Sequence, residues 1–100
     1  MITNLQAFQI RSCQILAASQ TSASATVNKD EGSVRITNTG PNTAFIRMGT
    51  GAQTAVLTDM PILANTSVHL KKSISTDTIA AICAATQTAS LYIAEGNGGI

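Results

Sequence analysis

Tryptophan is missing from this 100-residue chain, and Phe8, Phe45 and Tyr92 are its only aromatic residues. A core must therefore be assembled from Val, Ile, Leu and Ala, and it will be thin. Charge is scarce as well: 11% of residues are Asp, Glu, Lys or Arg, less than half the usual quarter, and the formal net charge is +1. Little repels one copy from another, so a subunit of an assembly fits better than a freely diffusing monomer. The six basic residues, Arg11, Lys29, Arg35, Arg47, Lys71 and Lys72, form no stripe, and there are too few aromatics to stack on bases, so no nucleic-acid partner is expected. No apolar run approaches the ~20 residues of a membrane span, and Met1 to Leu5 lack a basic segment leading into an apolar one. No membrane partner is expected, and synthesis is expected in the cytosol. Cys13 and Cys83 are the only cysteines; they make no disulfide framework and read as two buried small hydrophobes.

Candidate chemistry is sparse. His69 is the only histidine and stands beside Lys71 and Lys72 in a strand pattern, which supports neither a His-based triad nor a multi-histidine metal site. It reads as a surface strand residue. Asp30, Glu31, Asp59, Asp77 and Glu95 each fall at an expected turn or loop end, where carboxylates form turns, so no catalytic pair is assigned. Gly49-Thr50-Gly51 lacks the following Gly-Lys-Ser/Thr of a phosphate loop and reads as a connection between strands. Asn65-Thr66-Ser67 matches a glycosylation sequon, which carries no meaning without secretion. No catalytic residue, metal or cofactor is expected, and the chain is read as no enzyme.

Period-two alternation with abundant Ser and Thr is what the chain does have. Ala23, Ala25 and Val27 alternate with Ser and Thr; Val34 and Ile36 alternate with Arg35 and Thr37. The Lys29-Asp30-Glu31-Gly32 turn between them predicts a hairpin. Asn38-Thr39-Gly40-Pro41-Asn42 is a second turn cluster, where proline cannot donate to a ladder and the chain must reverse or leave its sheet. In the strand from Ala44 to Met48, Ala44, Ile46 and Met48 share one face. Phe45 and Arg47 share the other, where a large ring on a nominally solvent-facing side needs a cover. Residues 54–58 read as renewed extended structure, Val68 and Leu70 as another strand, and Leu91 and Ile93 as the last. Between them residues 78–84 are apolar or small on both parities, which predicts a central strand covered on both sides; a short helix capped by Thr76 or Asp77 is the rival. Phe8 and Ile10 have the parity opposite to Cys13 and Ile15, a conflict that a bulge near Ser12 would resolve.

The expected fold is all-β, a single small β-sandwich or jelly-roll-like barrel of about eight short strands. Residues 7–95 would form the sandwich, 1–6 an N-terminal arm and 96–100 a glycine-rich tail. Ile2, Leu5 and Ile100 are the apolar anchors of these ends, and with Phe45 and Arg47 they make up the candidate interface.

Between Val34 and Gly99 stand the phrases Val34-Arg35-Ile36-Thr37-Asn38-Thr39-Gly40, Thr43-Ala44-Phe45-Ile46-Arg47-Met48-Gly49-Thr50-Gly51 and Thr58-Asp59-Met60-Pro61-Ile62-Leu63, then Ile79 to Ala84, Leu91 to Ala94 and the closing Gly96-Asn97-Gly98-Gly99. In these the chain resembles small β-rich virion proteins of tailed bacteriophages. They are strand and turn phrases over about two-thirds of the chain, not a catalytic signature. The resemblance implies a structural role in the virion, as a capsid cement or decoration protein on the capsid exterior. Its partners would be the major capsid protein and itself, as homodimer or homotrimer. A tail, fibre or head-closure component is the alternative within the same particle. A small carbohydrate-binding sandwich is the alternative of another class, although Tyr92 and Phe45 are a poor aromatic supply for sugar stacking.

Overall fold

The computed structural model describes residues 9–28, 32–73 and 75–97, and among them every regular element is a strand. There are eight: β1 (Gln9–Ala18), β2 (Ala23–Thr26), β3 (Ser33–Pro41), β4 (Ala44–Gly49), β5 (Met60–Ile62), β6 (Thr66–Lys71), β7 (Thr78–Ile82) and β8 (Ala89–Asn97). They form two four-stranded antiparallel sheets, ordered β1-β8-β3-β6 and β2-β7-β4-β5, here sheets A and B. That order winds the chain as a jelly roll: successive strands alternate between sheets except at the β4–β5 hairpin, and the first strand pairs with the last. β1 packs across from β2, and β6 from β5, so the two lateral sides of the sandwich are a β1/β2 side and a β5/β6 side.

The alternation read from sequence places the core. Leu16 and Ala18 of β1, Val34 and Ile36 of β3, and Leu91 and Ile93 of β8 point in from sheet A. From sheet B come Ala44 and Ile46 of β4, Ile62 of β5, and Ile79 and Ala81 of β7. No aromatic residue joins this cluster among the described residues. Both sheets contribute branched side chains, interspersed with Ala18 and Ala89 in sheet A and Ala44 and Ala81 in sheet B, and Ala23 and Ala25 of β2 add further alanine on the sheet B side.

β7 is central, between β2 and β4, with Ile79, Ala80 and Ala81 all buried, as its two apolar parities require. The bulge is also present: the β1–β8 register shifts between Ile10 and Ser12. Arg11 is the extra residue, and it puts Ile10 on the same outward side as Cys13 and Ile15. At the second turn cluster β3 runs on to Pro41, through a cis Gly40–Pro41 peptide, and the chain then leaves sheet A for β4 in sheet B.

Several expectations are corrected. β2 and β3 are not a hairpin; β2 pairs with β7, and β3 with β6 and β8. Turn-forming residues do not specify sheet membership, and here β2 and β3 belong to different sheets. Residues 54–58 form no strand. Cys13 is exposed, because it shares the outward face of β1 with Ile15, opposite in parity to the inward Leu16 and Ala18, whereas Cys83 is buried as expected and its burial pushes the thiol pKa up. Glu95 is not at a loop end. It lies buried in β8, where its carboxylate accepts the backbone N–H of Asn28 at 2.6 Å. Gly96 and Asn97, expected in the tail, pair with Ile10 and Gln9, and Asn97 Oδ1 accepts the N–H of Gly32. Residues 1–6 and Phe8, with Ile2 and Leu5, lie outside the described residues, as do residues 98–100 with Ile100.

Candidate functional surfaces

Phe45 and Arg47 stand on the outer face of sheet B, as the β4 alternation requires. Phe45 is half-buried, and the register sets it between Ile82 of β7 and Pro61 of β5 in a three-strand apolar row. Arg47 is exposed and held within the chain: its Nε and Nη2 donate to Asp59 Oδ1 at 3.2 and 3.0 Å.

That ion pair is one of several ties on the segment between β4 and β5. Thr50 Oγ1 donates to the Ser75 carbonyl at 2.8 Å, the N–H of Gly51 donates to Asp77 Oδ1 at 2.9 Å, and the N–H of Ala55 donates to Ser22 Oγ at 2.9 Å. Gly51 has φ +77°, a left-handed conformation that suits glycine. Ser22 precedes β2 and Arg47 lies in β4, so a segment tied to both passes over β7 between them. Ala80 of β7 and Ala55 of the segment are both buried yet lie outside the central core cluster, as such a crossing demands. The apparent strand at 54–58 is thus a strap, its backbone spent on side chains instead of a ladder. It supplies part of the cover that the outward face of β4 and β7 needs.

Asp59 closes the strap. Its Oδ2 accepts the N–H of Val56 at 2.8 Å while its own N–H donates to the Val56 carbonyl at 3.0 Å. The Val56 N–H first, and then Arg47 as hydrogen-bond donor and as charge, hold the carboxyl below its ordinary value of 3.8 against the opposing effect of burial. A carboxylate with a depressed folded pKa contributes its stabilisation above the unfolded value and loses it as pH falls through the folded one. A carboxyl-carbon NMR titration should therefore place the Asp59 midpoint below 3.8. In Arg47→Ala it should rise part of the way and stay depressed, because the backbone donor is the larger cause; a midpoint at or above the ordinary value in the wild type would contradict this geometry.

The exposed large apolar residues fall into two groups. Val56, Leu57, Met60 and Leu63 lie on the strap and around β5. Ile10, Ile15 and Tyr92 lie on the outer face of sheet A, with Ile15 and Tyr92 directly opposite each other across β1 and β8. Thr37 of β3 and Ser67 of β6 continue that row, joined by a hydroxyl pair at 2.8 Å. Neither group belonged to the sequence-derived interface, although the parity conflict in β1 already pointed at the second.

The chemical candidates stay dispersed. His69 is half-buried in β6 opposite Arg35. Lys72, read from sequence only as one of the scattered basic residues, is buried and donates from Nζ to the Thr76 carbonyl at 3.0 Å. Among the described residues no three His, Cys, Asp or Glu side chains converge as a metal site, and no ligand-sized cavity opens. Among the described residues no helix is long and apolar enough to cross a membrane. Comparison of the chain with protein-family models, with curated proteins and with solved structures finds no match. The two apolar surfaces are therefore what a functional reading can be built on.

Proposed function

We propose that this chain is a structural subunit of a tailed-bacteriophage virion, a capsid cement or decoration protein. It would self-associate as a homodimer or homotrimer and clamp neighbouring major capsid subunits on the capsid exterior. The observation that carries this reading is the presence of two separate exposed apolar surfaces on opposite sheets of one small, weakly charged domain. A bridging protein needs two such surfaces, since one must hold a sibling while the other holds the shell. The strand and turn phrases that resemble phage virion proteins supply the particle. Jelly rolls also serve as lectin domains, so the architecture supports a surface-binding role without choosing the partner.

In this mechanism each contact is weak and the array is strong. Many copies docked over subunit junctions convert modest single-site affinity into avidity, which opposes the outward pressure of packaged DNA. The decisive measurement is the number of copies per purified particle, by quantitative mass spectrometry. Hundreds of copies are expected. About 6 to 12 copies, the multiplicity of a cyclic ring, would move the chain to the tail or connector, and none at all would end the virion reading.

A further inference from the structure

We infer that β1 is the self-association edge of the domain and that it pairs antiparallel with β1 of a second copy about a two-fold axis at Ile15. The inference names the homotypic surface of the proposed structural subunit and rests on that reading for its biological setting. Its geometry comes from β1 itself.

A two-sheet sandwich has four edge strands, and exposed edges are normally blunted by shortness, proline, charge or cover. Three edges here follow that rule. β2 has four residues; β5 has three, one of them Pro61; β6 carries Lys71. β1 differs once past its bulge. It is ten residues long, contains neither proline nor lysine, and has no backbone partner on its far side among the described residues. Its one charged residue, Arg11, is the bulge residue, so residues 12–18 form a straight uncharged run. The outward side chains along it, Cys13, Ile15 and Ala17, are all exposed, Ile15 to 59%.

An uncharged strand favours its own copy, since antiparallel pairing about a two-fold axis is self-complementary and nothing in residues 12–18 repels it. The bulge then selects the register. Beyond Ser12 toward the N-terminus the side chains change phase, so the longest pairing that keeps both sheets' outer faces aligned uses residues 12–18, whose midpoint is Ile15. In that register Ile15 meets Ile15 of the second copy, and Cys13 meets Ala17. Tyr92, next to Ile15 on β8, flanks the junction from both sides. Edge pairing alone is narrow, and these face residues bring the contact toward the about 1,200 Å² of a specific interface. The product is a continuous eight-stranded sheet, with the strap and β5 surface of each copy left free for the shell.

Opposed residues on antiparallel strands have Cα atoms about 4.5–5.5 Å apart, within disulfide range. The test is a cysteine placed on the axis: Ile15→Cys combined with Cys13→Ser, in the full chain, under mild oxidation. This variant should form a covalent dimer. The wild type, whose Cys13 lies off the axis, should not, and Ala17→Cys should cross-link through the native Cys13. Light scattering should give the wild type at micromolar concentration twice the 10.3 kDa chain mass. Ile15→Lys, a change at an exposed position, should weaken the dimer about tenfold or more while the sheet circular dichroism is retained. A monomeric wild type, or a dimer unaffected by Ile15→Lys and not cross-linked at position 15, would overturn the inference. The first result together with hundreds of copies on the particle would sink this interface alone. A position-15 dimer absent from particles would instead sink the virion reading.

Discussion

Replacing Asn38 by leucine should cost the domain about 3–5 kcal/mol, among the largest losses available to a single side chain in this fold. Asn38 is fully buried in β3. Its amide nitrogen donates to the Asn42 carbonyl at 2.8 Å and the Ile62 carbonyl at 2.9 Å, its Oδ1 accepts the Gly40 N–H at 2.7 Å, and its backbone carbonyl accepts the Asn65 N–H at 2.7 Å. One residue thus satisfies the polar backbone where the chain passes from sheet A into sheet B, and also binds the end of β5. Leucine fits the volume but leaves two buried backbone groups, at Ile62 and Gly40, and the part-buried Asn42 carbonyl without this partner, each buried one costing about 1–3 kcal/mol before relaxation. Asn38→Asp should be as damaging, since it keeps the acceptor and turns a carboxylate oxygen toward two carbonyls. Urea denaturation would read both, and a loss below about 1 kcal/mol for either would show that water replaces the amide.

Ile36→Ala should lose about 3–4 kcal/mol, or roughly 15–30 °C of melting temperature in a domain of this size. Ile36 has no solvent exposure and lies in register between Ile93 of β8 and Val68 of β6. The opposing face of sheet B is rich in alanine and carries no ring that could swing into the vacancy, so the cavity should persist. Ile36→Val should lose only about 1 kcal/mol. Ile15→Ala, on the outward face of the same sheet, is the control and should leave the unfolding free energy of dilute protein within about 0.5 kcal/mol. Equal losses at positions 15 and 36 would mean that the assigned faces are wrong.

Faces were far more legible than partners. Period-two patterning located Ala23 to Val27, Val34 to Ile36 and Ala44 to Met48, and it assigned Phe45 and Arg47 to the outward side where they stand, because burial on one face imposes the period directly. The clash of parity between Ile10 and Cys13 announced the bulge for the same reason. Partners depend on chain crossings that leave no local trace: the charged sequence before β3 reads the same whether the chain stays in its sheet or changes sheets. The strap reads as a strand because β-branched Thr54, Val56 and Thr58 alternate with Ala55 and Leu57, while its ties run to Ser22 and Asp59. Glu95 and Lys72 were missed because a lone charge reads as exposed. The backbone groups they serve, at Asn28 far along the chain from Glu95 and at Thr76 four residues from Lys72, account for their burial.

The pairing of β1 with β8 also governs how the protein is made. At about 5–20 residues per second a ribosome releases β1 several seconds before β8, the only described strand that forms a backbone ladder with it, can exist. Throughout that interval β1 has both edges open, and β3 lacks one of its two neighbours as well. The topology is one of high contact order, in which closure entropy must be spent before the first long-range ladder repays it. Nascent chains on one messenger hold many such strands close together. The edge that would join finished subunits is therefore also the one through which unfinished chains can capture each other, and release of residues 89–97 ends that exposure on one side.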